Sequence, residues 1–272
     1  MKIGVLINLH SSETIDEKFK KVKELGLNSC QLNCWNMAQY TPEIAEEVLT
    51  ACKKYDVTIS TVWAGWSGPR KWNFHDGPLT LGLVPTAYRE TRMKDLMKGS
   101  DFAKLLGVPQ IATHMGFIPE TPNTEEYRSL VCAIRYVAEH CKNNGQYLLF
   151  ETGQETPVTL LRTIQDVGTG NLGINLDPAN LILYGKANPI DALDVFGQYV
   201  RDIHAKDGVY PVDGMNLGKQ KPLGQGKVNV PALVAKLKEI GYDGPFTIER
   251  EISGEEQIKD ILSAKALLEE LI

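Results

Sequence analysis

Four apolar stretches in the second half of the chain each end on a residue able to bind a metal ion. Leu148-Leu149-Phe150 runs into Glu151, Ile174-Asn175-Leu176 into Asp177, Asp202-Ile203 into His204, and Phe246-Thr247-Ile248 into Glu249. Taken singly, any of these is read as a solvated strand end or as a cap for the next helix. Their recurrence at one place in four successive units points instead to a shared site. Three carboxylates gathered there repel one another and resist ionisation unless a cation neutralises them. With one imidazole added, the three oxygens and one nitrogen form a donor set suited to Mn²⁺ or Mg²⁺, with Zn²⁺ or Co²⁺ also accommodated. The expected chemistry is that of one divalent ion, Mn²⁺ first.

Something must bring the four strand ends together. Short apolar runs alternate with longer amphipathic segments throughout the chain. Strands are expected near 2–9, 28–33, 57–63, 109–115, 146–151, 171–176, 200–205 and 244–249. Helices are expected near 14–26, 42–55, 88–106, 125–144, 156–168, 188–199, 230–240 and 255–271. Eight strand-then-helix units, with continuous apolar strands such as Tyr147-Leu148-Leu149-Phe150, predict an α/β fold of the (β/α)8 barrel type. An open doubly wound sheet is the rival; it favours a glycine-rich loop after its first strand, and Asn8-Leu9-His10-Ser11-Ser12 contains no glycine. The punctuation agrees: Gly26 and Gly107 close helices, while Thr156-Pro157 and Asn188-Pro189 open them. In a barrel, four consecutive strands are neighbours, so their C-terminal residues face one opening. The two long connections, 64–87 and 207–229, also follow strands and so belong on that face. The first carries Trp66, Trp72, Phe74 and His75, an aromatic wall for a sugar ring or packing for the rim.

The bulk composition fits. At 272 residues the chain matches one barrel of roughly 250, so residues 1–272 are expected to form a single domain. A net charge of −5 gives no reason to expect nucleic acid. The first apolar run, broken by Asn8 and His10, is too short for a secretory leader, and no segment approaches the ~18 apolar residues of a membrane span. Five cysteines at no disulfide spacing suggest reduced thiols and a cytoplasmic protein.

The motifs Phe150-Glu151-Thr152-Gly153-Gln154-Glu155, Asn175-Leu176-Asp177-Pro178-Ala179-Asn180, His204-Ala205-Lys206-Asp207-Gly208 and Thr247-Ile248-Glu249-Arg250-Glu251 resemble those of the xylose isomerase-like TIM-barrel superfamily. Within it, the chain is similar to the sugar phosphate isomerase/epimerase group, which includes ketose 3-epimerases and inosose isomerases. The resemblance extends over nearly the whole chain. It implies that Glu151, Asp177, His204 and Glu249 bind one Mn²⁺-like ion. It further implies an isomerase or epimerase of a ketose, inosose or related keto sugar, free or phosphorylated. The reaction is proton transfer beside a metal-bound carbonyl, with Glu151 and Glu249 as the acid/base pair. Many relatives have a histidine three residues after the strand-six aspartate, where this chain has Asn180. With only His10, His75, His114, His140 and His204 available, the three-zinc cluster of the AP endonuclease branch is out of reach.

Around that centre the expected substrate contacts are His114, Gln154, Asn180, Lys206, Asp207, Trp66 and Arg250, with Trp35 and Glu251 as further pocket residues. For several an ordinary role is open: His114 as a buried hydrogen-bonded histidine, Asp207 as a loop cap, Arg250 as an outward ion pair. Pro222-Leu223-Gly224-Gln225-Gly226-Lys227 reads either as a phosphate cradle or as a turn into the next helix. A dehydratase or lyase on the same site is the alternative reaction, and a non-catalytic sugar-binding barrel the alternative class. The expected partners are a small sugar and, by the family's habit, further copies of the chain in a dimer or tetramer.

Overall fold

The computed structural model describes residues 1–9 and 12–272; His10 and Ser11 lie outside the described residues. Eight parallel strands close into a barrel: β1 (Lys2–Asn8), β2 (Ser29–Cys34), β3 (Thr58–Ala64), β4 (Gln110–Thr113), β5 (Tyr147–Glu151), β6 (Leu172–Leu176), β7 (Val200–Ala205) and β8 (Pro245–Ile248). Each strand pairs with its neighbours in the chain, and β1 closes the ring on β8 through Lys2 opposite Pro245 and Val5 opposite Ile248. The (β/α)8 TIM-barrel fold read from the alternation of elements is therefore the observed one.

The helices form where their ends are capped. Thr14 and Glu17 make a reciprocal capping box at the start of Ile15–Glu24, with acidic residues in its first turn and lysines in its last. Thr41, Thr124 and Thr156 each accept a hydrogen bond from the third residue of the helix that follows. Among the described residues no helix is long and apolar enough to cross a membrane.

Four local features depart from the sequence reading. β4 stops at Thr113, so His114 stands just beyond the strand rather than within it. A six-residue helix, Pro178–Leu183, follows β6 directly, and a four-residue helix, Gly77–Thr80, interrupts the connection 64–87. The connection 207–229 carries a two-stranded antiparallel ladder, Asp207–Gly208 with Gln220–Lys221. The barrel interior is also more polar than its apolar strands suggested. Asp202 is fully buried and accepts hydrogen bonds from Ser60 (2.8 Å), Thr61 (2.7 Å) and Thr247 (3.1 Å), a network that satisfies its carboxylate below the level of the site.

Candidate metal centre

The four strand-end residues meet. One donor atom from each of Glu151, Asp177, His204 and Glu249 lies within 4.8 Å of all the others. His204 Nδ1 is 3.3 Å from Glu151 Oε1, 3.7 Å from Asp177 Oδ2 and 3.0 Å from Glu249 Oε2. A hexacoordinate ion with bonds of about 2.1 Å sets adjacent donors roughly 3 Å apart, so these separations suit such an ion.

Each donor is aimed by its surroundings. Asp177 caps the helix Pro178–Leu183 with Oδ1, which accepts from the Asn180 amide at 2.8 Å. That leaves Oδ2 facing the cluster, so the capping role and the ligand role fall to different oxygens of one side chain. Thr152 clamps the same turn, donating to the Asp177 carbonyl at 2.8 Å and accepting from its N–H at 2.9 Å. The His204 ring is fixed from behind: Nε2 donates to Gln31 Oε1 at 2.6 Å, so Nδ1 is the nitrogen turned toward the carboxylates. Gln31 is held in turn by Asn175, to whose Oδ1 it donates at 3.3 Å. The strand register shifts at Cys30/Gln31 and again at Ile174/Asn175, the two places where a re-aimed side chain is needed. Glu151 receives the indole N–H of Trp63 on Oε2 and the Asn180 amide on Oε1 at 3.2 Å.

The polar accounting suits a bound cation. Asp177 Oδ2, His204 Nδ1 and Glu249 Oε2 are buried, converge on one point, and have no hydrogen-bond partner. Buried polar atoms of this kind are rare and costly. A divalent ion would satisfy all three. Lys206 Nζ stands close by, 3.2 Å from Asp177 Oδ2, 3.0 Å from Glu249 Oε2 and 3.2 Å from Glu251 Oε2. Burial alone would push the Glu249 carboxyl up; Lys206 and His204 outweigh it and hold Glu249 down to about 2. Burial works against a charged His204, yet Glu249 and Glu151 drive its pKa well above the usual histidine range. The cluster thus draws positive charge, which Lys206 supplies in part and a protonated His204 adds to where no ion is bound.

Above the centre opens a cavity of about 240 Å³. Its lining includes Trp35, Trp63 and Trp72 on one side, His114, Asn180, Tyr184 and Lys206 around the centre, and Glu151, Glu249 and Glu251. Trp35 packs against Trp63 with ring centroids 4.8 Å apart. Gly65 makes this possible, because a Cβ there would stand 2.5 Å from the Trp35 ring.

Among the expected substrate contacts, His114, Asn180 and Lys206 line this cavity, as do Trp35 and Glu251. His114 Nε2 is 3.5 Å from Glu151 Oε1. Four of the expected contacts lie outside this lining. Trp66 is buried behind the wall, 5.1 Å from Trp35 and 6.0 Å from Trp63, with Arg92 over its ring. Asp207 faces the loop and not the cavity, and there it accepts backbone N–H groups from Gly208, Gly224, Gly226 and Val228. Arg250 turns outward to Asp260 at 2.7 Å. Gln154 is buried and outside the lining. Conversely, Gln31, Trp63 and Asn175 hold the centre and were not singled out from the sequence. The available signal was a lone glutamine inside the otherwise apolar run Cys30-Gln31-Leu32.

The comparisons with known proteins agree with this fold. Residues 19–271 match the model of the xylose isomerase-like TIM-barrel family. A xylose isomerase domain protein from Planctomyces limnophilus is 36% identical, superposes with a TM-score of 0.91, and the match covers 99% of this chain and 96% of that one. A D-tagatose 3-epimerase-like protein is 22% identical with a TM-score of 0.75, over 100% and 97% of the two chains. A xylose isomerase-like TIM-barrel protein from Mycobacterium smegmatis, solved in complex with magnesium, is 18% identical with a TM-score of 0.69, over 97% and 98%.

Proposed function

Because the chain belongs to the xylose isomerase-like TIM-barrel family, we propose that it is a divalent-metal-dependent isomerase or epimerase of a keto sugar. Glu151 and Glu249 are its proton-transferring pair. The observation that carries this reading is the convergence of one donor atom from each of Glu151, Asp177, His204 and Glu249 within 4.8 Å of one another, with Asp177 Oδ2, His204 Nδ1 and Glu249 Oε2 buried and making no hydrogen bond. These four side chains would hold the ion, Mn²⁺ by preference and Mg²⁺ next, as an oxygen-rich set favours. When bound, such an ion polarises a substrate carbonyl and acidifies the neighbouring C–H.

The protein's own groups do the rest. A glutamate removes the proton from the carbon next to the carbonyl, and the second glutamate returns one, so no net oxidation occurs. The Trp63 N–H on Glu151 Oε2 stabilises the ionised carboxylate and fixes its orientation. Lys206, Asn180 and His114 present hydrogen-bonding groups around the cavity, where sugar hydroxyls would meet them. The tryptophan wall offers an apolar face to the C–H side of a sugar and limits water at the reacting carbon. The D-tagatose 3-epimerase-like relative makes a ketose the first substrate to try.

The test is deuterium uptake from D₂O into a panel of ketoses and inososes incubated with the Mn²⁺-loaded protein. Glu151→Gln and Glu249→Gln should each lower exchange and turnover by about 10³-fold, within the range general acid–base catalysis spans, with the fold retained by circular dichroism. Full activity in either variant would rule out the two-glutamate reaction.

A further inference from the structure

The sequence contained one element with the composition of a phosphate cradle, the glycine-rich turn 222–227. The N–H groups of its two glycines are already taken. Asp207 Oδ2 accepts from Gly224 at 3.0 Å and from Gly226 at 2.9 Å, and Oδ1 accepts from Gly208 at 2.8 Å and Val228 at 3.1 Å. The turn is an anion-binding nest filled by the chain's own carboxylate. Gly226 is required for the fit, because a Cβ there would stand 2.0 Å from Asp207 Oδ1. Asp207 is 1% exposed, so a phosphate in solution has no access to these donors without opening the loop.

The cations nearby are equally committed. Arg250 is spent on Asp260 and Gln220. Lys206 is the one lysine or arginine lining the cavity among the described residues, and three carboxylates surround it. Arg70 lies 4.3 Å over the Trp35 ring, but it is exposed and outside the lining. Against these stands Glu251, an exposed carboxylate on the cavity wall. Even with a divalent ion bound, the four carboxylates of Glu151, Asp177, Glu249 and Glu251 outnumber the charges of the ion and Lys206. An incoming anion therefore meets a negative wall.

We infer that the cavity takes an uncharged keto sugar, and that Glu251 excludes the phosphate ester of the same sugar. The inference rests on the proposed function for the sugar and on the charge distribution for its neutrality. It is tested by calorimetric titration of the Mn²⁺-loaded protein with D-fructose, D-tagatose, an inosose and the phosphate esters of each. At least one free sugar should bind tenfold or more tightly than its ester. Glu251→Gln should narrow that ratio by about tenfold, the effect of removing one charge a few ångströms from a phosphate, while Mn²⁺ stoichiometry stays the same. An ester binding as tightly as the free sugar in the wild type would overturn the inference. So would an ester whose tight binding is lost in Arg70→Ala, which would place an anion site at the rim. An unchanged ratio in Glu251→Gln would remove Glu251 from the explanation. An ester that binds and exchanges deuterium would contradict neutrality and leave the isomerase reading intact; a free sugar that binds without exchange would do the reverse.

Discussion

Trp63 stands between the substrate wall and the chemistry: its ring lines the cavity and its N–H is bonded to Glu151. Trp63→Phe keeps most of the wall and deletes the donor. Loss of a charge-assisted hydrogen bond of about 1.5–3 kcal/mol predicts a 10- to 100-fold lower kcat with a smaller change in KM, measured by steady-state kinetics. His204 gives a pH dependence whose sign is fixed. With no ion present its pKa is raised well above the usual range, so through the neutral range Nδ1 carries a proton that the metal must displace. Metal affinity should fall about tenfold for each unit of decreasing pH, with one proton released per ion bound. A flat affinity between about pH 6 and 8 would mean that His204 does not bind through Nδ1. At this scale the sequence was legible where chemistry interrupts an apolar strand, as at Glu151 and Asp177. It was not legible where the decisive fact is which way a side chain points. Gln31 and Asn175 reach His204 only because the register shifts beside each of them, and a register shift leaves no mark in one sequence. Arg250 shows the converse, since adjacency to Glu249 in the chain put it on the opposite side of the strand.

The element that sequence reasoning treated least well is the connection 207–229. In the sequence it reads as a loop on the substrate face; in the structure it is organised around one carboxylate, with the ladder Asp207–Gly208/Gln220–Lys221 at its base and Leu217 reaching the cavity. Asp207→Ala would leave four backbone N–H groups without their acceptor. Allowing for water reaching some of them, the cost is about 3 kcal/mol, or a melting temperature lower by roughly 6–12 °C for a chain of this size, readable by calorimetry. A melting temperature unchanged in Asp207→Ala would show that the loop is held by other means. The strands were easier. All eight lie within two residues of their expected limits, because a strand buried on both faces is a run of apolar side chains bounded by turn residues. The helix Pro178–Leu183 was missed because Asp177-Pro178 reads equally as a turn, and six residues are too few to show a helical period.

At the scale of the whole molecule, closing the ring through β1 and β8 brings Gln31 to His204 and Trp63 to Glu151 across the interior. The four strands from β5 to β8 supply the proposed ion-binding groups. β2 and β3, across the barrel, supply Gln31 and Trp63, which aim them. The fold was readable from alternation alone; the division of labour between the two halves of the barrel was not, since it depends on contacts across the interior. The central claim is that Glu151, Asp177, His204 and Glu249 hold one divalent ion. Its most direct test is calorimetric titration of chelator-stripped protein with Mn²⁺, alongside the Asp177→Asn and His204→Gln variants. One ion should bind per chain in the wild type, with affinity reduced at least 100-fold in each variant, the upper range for disturbing a metal's surroundings. Absence of binding in the wild type, or undiminished binding in both variants, would contradict it.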